Sequence, residues 1–189
     1  MGRYITQPAL KHRVKKQQVF TVSGIFTPSQ ALLDAGGAVT VRCVGGGGSS
    51  YPTYYGNKSY IYGAAGSSGM DITRIVTVTE PVTVTIGAGG AITKIWGSNR
   101  YIYTPNDGGT TAFGDLVIAL GGKKGEGNSP GGSSGEGSLP SSGGAGGGAG
   151  GARGENAPAN SGGGGAANLY ELPTHGQGGS GLCIVTWEV

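Results

Sequence analysis

Forty-three glycines in 189 residues govern what this chain can fold into. An average protein carries about 7 per cent glycine. Glycine loses more backbone freedom on folding than any other residue. A chain this rich in it either leaves the glycines unordered or puts each missing Cβ to use, and the use is close approach of one backbone to another. The strict Gly-X-Y period of collagen is absent. Instead the glycines come in blocks, and more than half of them fall between 121 and 181. From 121 to 168 the only large aliphatic side chain is Leu139, so no conventional core forms there. On composition alone this stretch fits a flexible linker. Its position argues otherwise, because a linker leading only to the apolar run Leu182–Val189 would serve little purpose. The alternative is a set of polyproline-II-like helices lying side by side. Such a helix has three residues per turn and no internal hydrogen bonds. Its amides and carbonyls pair with neighbouring chains, each bond contributing about 1 kcal/mol net.

The remaining segments read as β structure. Gln17–Phe26 (QQVFTVSGIF) is the first β-like run, and 28–36 (PSQALLDAG) predicts one short helical turn ending at Gly36. Ala38–Val44 (AVTVRCV) alternates, with Val39, Val41 and Cys43 on one side and Thr40, Arg42 and Val44 on the other. Asp71–Thr79 and Val82–Ile86 read as neighbouring strands across a Glu80-Pro81 turn. Ile92–Tyr103 holds two short β pieces around Gly-Ser-Asn, Thr110–Leu120 is another β run, and Leu182–Val189 suits a closing strand. The expected fold class is all-β: a small β-sandwich-like body with a glycine-rich bundle of polyglycine-II, or polyproline-II-like, helices.

Charge separates a tail from the body. Arg3, Lys11, Arg13, Lys15 and Lys16 precede the first acidic residue, Asp34, and the rest of the chain is net acidic. The expected organisation is a basic N-terminal docking arm over 1–18 and a glycine-rich domain over 19–189. The two cysteines, Cys43 and Cys183, each sit in an apolar strand-like run and read as small buried hydrophobes; a disulfide between them does not follow from sequence. No apolar run approaches the ~20 residues of a membrane span, and the polar N-terminus has no signal-peptide pattern, so cytoplasmic synthesis is the expectation.

The order of these parts resembles a family. AVTVRCVGGGG runs a strand into a glycine block, VTVTIGAGG does so again, GGTTAFGDLVIALGG follows, and after the long glycine field comes GSGLCIVTWEV. This combination, over residues 19–189, resembles the glycine-rich domain of tailed-bacteriophage tail-fibre and tail-tip proteins, some of which are receptor-binding adhesins. The resemblance implies a virion protein of the tail fibre, tail tip or baseplate that acts in host attachment. Its implied partners are other tail-fibre or baseplate proteins and a bacterial surface receptor: a glycan, a pilus or an outer-membrane protein. It also implies a homotrimer or a cap on a trimeric fibre. A purely structural adaptor with no receptor contact is the other reading it allows.

Two segments depart from the family's short glycine turns. The first, 49–69, carries Tyr51, Tyr54, Tyr55, Tyr60 and Tyr62; the second, 91–107, carries Trp96, Asn99, Arg100, Tyr101 and Tyr103. Insertions in loops are where scaffolds commonly carry binding chemistry. Tyr, Ser, Gly and Asn make contact surface at low entropy cost. A third candidate is 166–175, with Tyr170 and His175. The bland alternative is that these aromatics pave a half-exposed β surface or a subunit interface. Arg3, Tyr4, Lys11, Arg13, Lys15 and Lys16 are the partner-docking candidates.

Chemistry for catalysis is missing from the sequence. The ten acids are scattered, His12 and His175 are the only histidines, and GxSxG and GxxxxGK[ST] are absent. The expectation is a non-enzyme with no cofactor and no metal. Nucleic acid is not expected as a partner either, because the body is net acidic and only Arg153-Gly154 resembles an RGG element. No membrane insertion is expected.

Overall fold

The computed structural model describes residues 14–51, 54–56, 59–61, 64–97, 100–126, 155–167 and 175–189. Its body is a β-sandwich. One sheet holds β1 (Lys15–Phe20), β12 (Leu182–Glu188), β3 (Ala38–Val44) and β6 (Asp71–Thr77), in that order and all antiparallel. The other holds β11 (Val117–Ala119), β10 (Thr111–Phe113), β7 (Val82–Thr85) and β2 (Gly24–Phe26). Period-two alternation in β3 buries Val39, Val41 and Cys43. They meet Cys183 and Val185 of β12 and, from the opposite sheet, Phe26, Val84, Phe113 and Val117. Phe26 is the hinge of this core, tilted against Phe113 at 5.6 Å and edge-on to Trp187 at 5.4 Å. The short helix α1 (Gln30–Asp34) is capped by Ser29, whose hydroxyl accepts from the Leu32 amide, and buries Leu32. It ends where Gly36 and Gly37 adopt positive φ.

Two sequence expectations change here. β6 and β7 are not partners across Glu80-Pro81: β6 pairs with β3 and β7 with β10 and β2, so the turn carries the chain from one sheet to the other. The apolar residues of both runs face one core from opposite sides, and sequence alternation cannot distinguish that from pairing. The second change concerns the arm. Its last residues, Lys15 to Gln18, belong to β1 and pair with Glu188, Trp187, Thr186 and Val185. The sheet therefore begins inside the stretch assigned to the arm.

The glycine blocks are rods rather than turns. Successive amides of 45–51 donate to three neighbours in strict rotation: Gly45 to Met70, Gly46 to Gly109, Gly47 to Gly179, then Gly48 to Ser67, Ser49 to Asn106, Ser50 to Gly176, and Tyr51 to Ala64. A three-residue period is that of the polyproline-II helix. The acceptor numbers fall by three at each round, so these neighbours run antiparallel. The carbonyls of the same rod accept from three others: Gly46 and Ser49 from Gly122 and Gly125, Gly47 from Gly90, and Gly48 from Gly165. Segment 45–51 is thus the centre of a polyglycine-II bundle, ringed by six rods. Gly45 through Ser50 are all buried. Ser49 and Ser50 keep their hydroxyls satisfied on the backbones of Asn106 and Gly176. Of the stretch 121–181 expected to form the framework, the described parts all join the bundle. Residues 127–154 and 168–174 lie outside the described residues.

Candidate functional site

Connectivity gives the molecule two poles. Strands β3, β7 and β11 lead outward into rods 45–51, 87–91 and 120–126; rods 64–70, 106–110 and 176–181 lead back into β6, β10 and β12. Rod ends away from the body therefore carry the excursions. Between 51 and 64 lies the pair β4 (Tyr54–Gly56) and β5 (Ser59–Ile61), with Tyr55 opposite Tyr60 and Tyr54 opposite Ile61. Between 91 and 106 lies the hairpin β8 (Ile92–Gly97) and β9 (Arg100–Pro105). Asn106 closes its base, donating from Nδ2 to the Ala91 carbonyl at 2.8 Å.

The structure brings together candidates that are far apart in sequence. Tyr103 sits edge-on to His175 at 4.8 Å, joining the second candidate segment to the third. Directly across the hairpin, Lys94 places its ammonium 5.7 Å from the centre of the Tyr103 ring. Tyr51 and Tyr103 border one depression of about 340 Å³ together with Lys124 and Glu126. Trp96 is 62% exposed on the hairpin, and the cross-strand pair Ile95 and Ile102 is exposed as well. Arg100 and Tyr101 fall on β9 opposite Gly97 and Trp96. Tyr62, Asn99 and Tyr170 lie outside the described residues, as do Arg3, Tyr4, Lys11 and Arg13.

Charged residues that sequence reading passed over brace this pole. Asp107 accepts from the Lys124 amide at 2.8 Å and from Lys123 Nζ at 2.9 Å, tying rod 106–110 to rod 120–126. The Lys124 amide, helped by the Lys123 ammonium, holds the Asp107 carboxyl below the ordinary carboxylate range against a smaller opposing effect of burial. An isolated acid and a Lys-Lys pair sixteen residues on carry no spacing motif, so no sequence signal marks them. The resulting surface offers phenol and indole faces, one free-standing aliphatic pair and mixed charge. Such a surface is suited to contact.

The opposite pole is the far end of the sandwich, where Val14 and Val189 exchange backbone hydrogen bonds. A groove of about 1100 Å³ opens there between α1 and the β1-β12-β3-β6 sheet. Buried Leu32 and Val39 line it together with Trp187 and the 78% exposed Ile75, and Lys15, Asp34 and Glu188 supply charge. Lys15 and Lys16 therefore stand on an edge strand beside this groove, both exposed. No protein-family model matches the chain, and no curated protein matches it.

Proposed function

We propose that this chain is an attachment module of a tailed-bacteriophage fibre or tail tip. In this reading the far pole of the sandwich docks on another tail protein, and the bundle holds aromatic excursions against the bacterial surface. The observation that carries it is the two-pole layout. Tyr51, the Lys94–Tyr103–Trp96 hairpin and His175, from three separate segments, gather at the end of the bundle remote from the Val14–Val189 pair. A bundle held by backbone pairing stays stiff whatever side chains its excursions carry, which suits a surface that contacts a receptor. The test is adsorption. The purified chain is expected to bind host cells and to block infection by the intact virus; a folded chain that does neither removes the receptor role.

A second reading, a structural adaptor without receptor contact, draws on a different observation. The outer side of the β11-β10-β7-β2 sheet leaves Leu116, Ile118 and Leu120 exposed at the β11 edge and Ile25 exposed on the opposite edge strand β2, and exposed apolar side chains of this kind suit protein contact. Locating the chain in the virion separates the two. A distal position supports attachment, and an interior baseplate position supports the adaptor.

A further inference from the structure

The geometry points to a covalent clasp at the root of the bundle: we propose that Cys43 and Cys183 are a modification site, oxidised to an intramolecular disulfide by a small peroxide.

The two cysteines are direct cross-strand partners on β3 and β12, the inner strands of their sheet. Their sulfurs lie 3.6 Å apart in a thiol–thiol hydrogen bond, and both side chains are fully buried. They are the chain's only cysteines, so no other intramolecular pairing competes. Their place in the topology is as informative as their distance. Cys43 stands two residues before rod 45–51 begins, and Cys183 two residues after rod 176–181 ends. The positions are 140 apart in sequence, and every rod of the bundle lies between them. A bond here closes one loop around the whole bundle. It also locks the root of the central rod to the root of its neighbour, which already accepts the Gly47 amide at Gly179. Cross-links that close long loops restrict the unfolded chain most.

The chemistry balances with hydrogen peroxide as oxidant. The Cys43 thiolate attacks one peroxide oxygen, the O–O bond breaks, and the departing hydroxide takes up a proton to become water. The resulting sulfenic acid is attacked by the Cys183 sulfur as its thiol proton leaves; the S–S bond forms, the S–O bond breaks, and a second water departs. Two thiols lose two electrons and two protons, and one peroxide is reduced to two waters. A water-sized oxidant is required because neither sulfur has room for the mixed adduct that a bulky disulfide reagent would leave. Once Cys43 is ionised, the Cys183 thiol can donate across the same 3.6 Å contact, which favours the Cys43 thiolate while burial opposes it.

The test uses the full chain, purified reduced and treated with hydrogen peroxide. Three results are expected: an intact mass lower by two hydrogen atoms, a non-reduced peptide map joining the two cysteine segments, and a melting temperature raised by roughly 5 °C or more. Dithiothreitol applied to the unfolded chain, followed by refolding under reducing conditions, should reverse all three. The reduced and oxidised forms of the unmodified chain supply the comparison, so it does not depend on a variant that folds. Cys43→Ala with Cys183→Ala should melt alike before and after peroxide. A folded chain that keeps its mass, gains only oxygen, links only to other chains, or cross-links without melting higher overturns the proposal. Since mass and melting are read on the isolated chain, failure of the adsorption test would leave this inference standing.

Discussion

Gly47 and Gly179 meet across two antiparallel rods: the Gly47 amide donates to the Gly179 carbonyl at 2.9 Å, and the Gly179 amide passes the contact on to Gly163 at 2.8 Å. A Cβ added at Gly47 would fall on the backbone carbonyl of Gly163, with no flexible side chain to yield. Gly47→Ala should therefore cost about 3 kcal/mol, the upper end of overpacking penalties, seen as a lower urea midpoint at unchanged slope. Gly24→Ala is the control, because its Cβ would meet the Phe20 ring at an ordinary 3.6 Å. Equal midpoints for the two variants would mean that the rods are not packed backbone to backbone.

Trp96 should act on binding without acting on stability, and Tyr103 should act on both. Trp96 is largely exposed, so Trp96→Ala is expected to leave the melting temperature nearly unchanged, within about 0.5 kcal/mol. Adsorption to host cells should fall roughly tenfold or more if Trp96 is a contact anchor. Tyr103→Ala should weaken adsorption as much and also lower stability by about 1 kcal/mol, because it removes the ring that packs on His175 and Lys94. Full adsorption by both variants would move receptor contact away from this hairpin.

The sandwich was legible because period-two alternation survives in β3 and β12, and the short helix because Gly36 stops it. The hairpin of β8 and β9 followed from its Gly-Ser-Asn turn. What the sequence hid was the role of the shorter glycine blocks. Gly45–Gly48 reads like a turn, since four residues show no period by themselves; the three-fold rotation exists only in the identity of the neighbours. The meeting of Tyr103 with His175 was hidden for the same reason, because rod order is set by backbone bonds that any glycine can make. Side-chain pattern records burial against a core and is silent about a lattice of backbones.

The far pole of the sandwich should govern assembly. Ile75 projects 78% exposed beside the groove that also holds Lys15 and Trp187. Under the proposed docking role, Ile75→Asp, alone or with Lys15→Glu, is expected to leave the fold intact and to abolish co-purification with the tail protein on which the far pole is proposed to dock. Retained co-purification with both changes would place docking elsewhere, the exposed sheet around Ile25 and Ile118 being the next surface to alter.

Acid should loosen the distal pole through Asp107. Its carboxyl is held below the ordinary value of 3.8, chiefly by the Lys124 amide. A carboxyl with a depressed folded pKa binds protons more readily when unfolded. Its contribution is thus complete above about pH 5 and is lost as pH falls below 3.8 and through the folded value. Comparison with Asp107→Asn isolates this group from the other carboxylates. The unmodified chain should be the more stable of the two at pH 7, and the gap should close by pH 2. Added salt should shrink only part of the gap, because it screens the exposed Lys123 ammonium while leaving the Lys124 amide bond in place. A gap that persists unchanged to pH 2 would mean that the tie between rods 106–110 and 120–126 does not depend on the Asp107 charge.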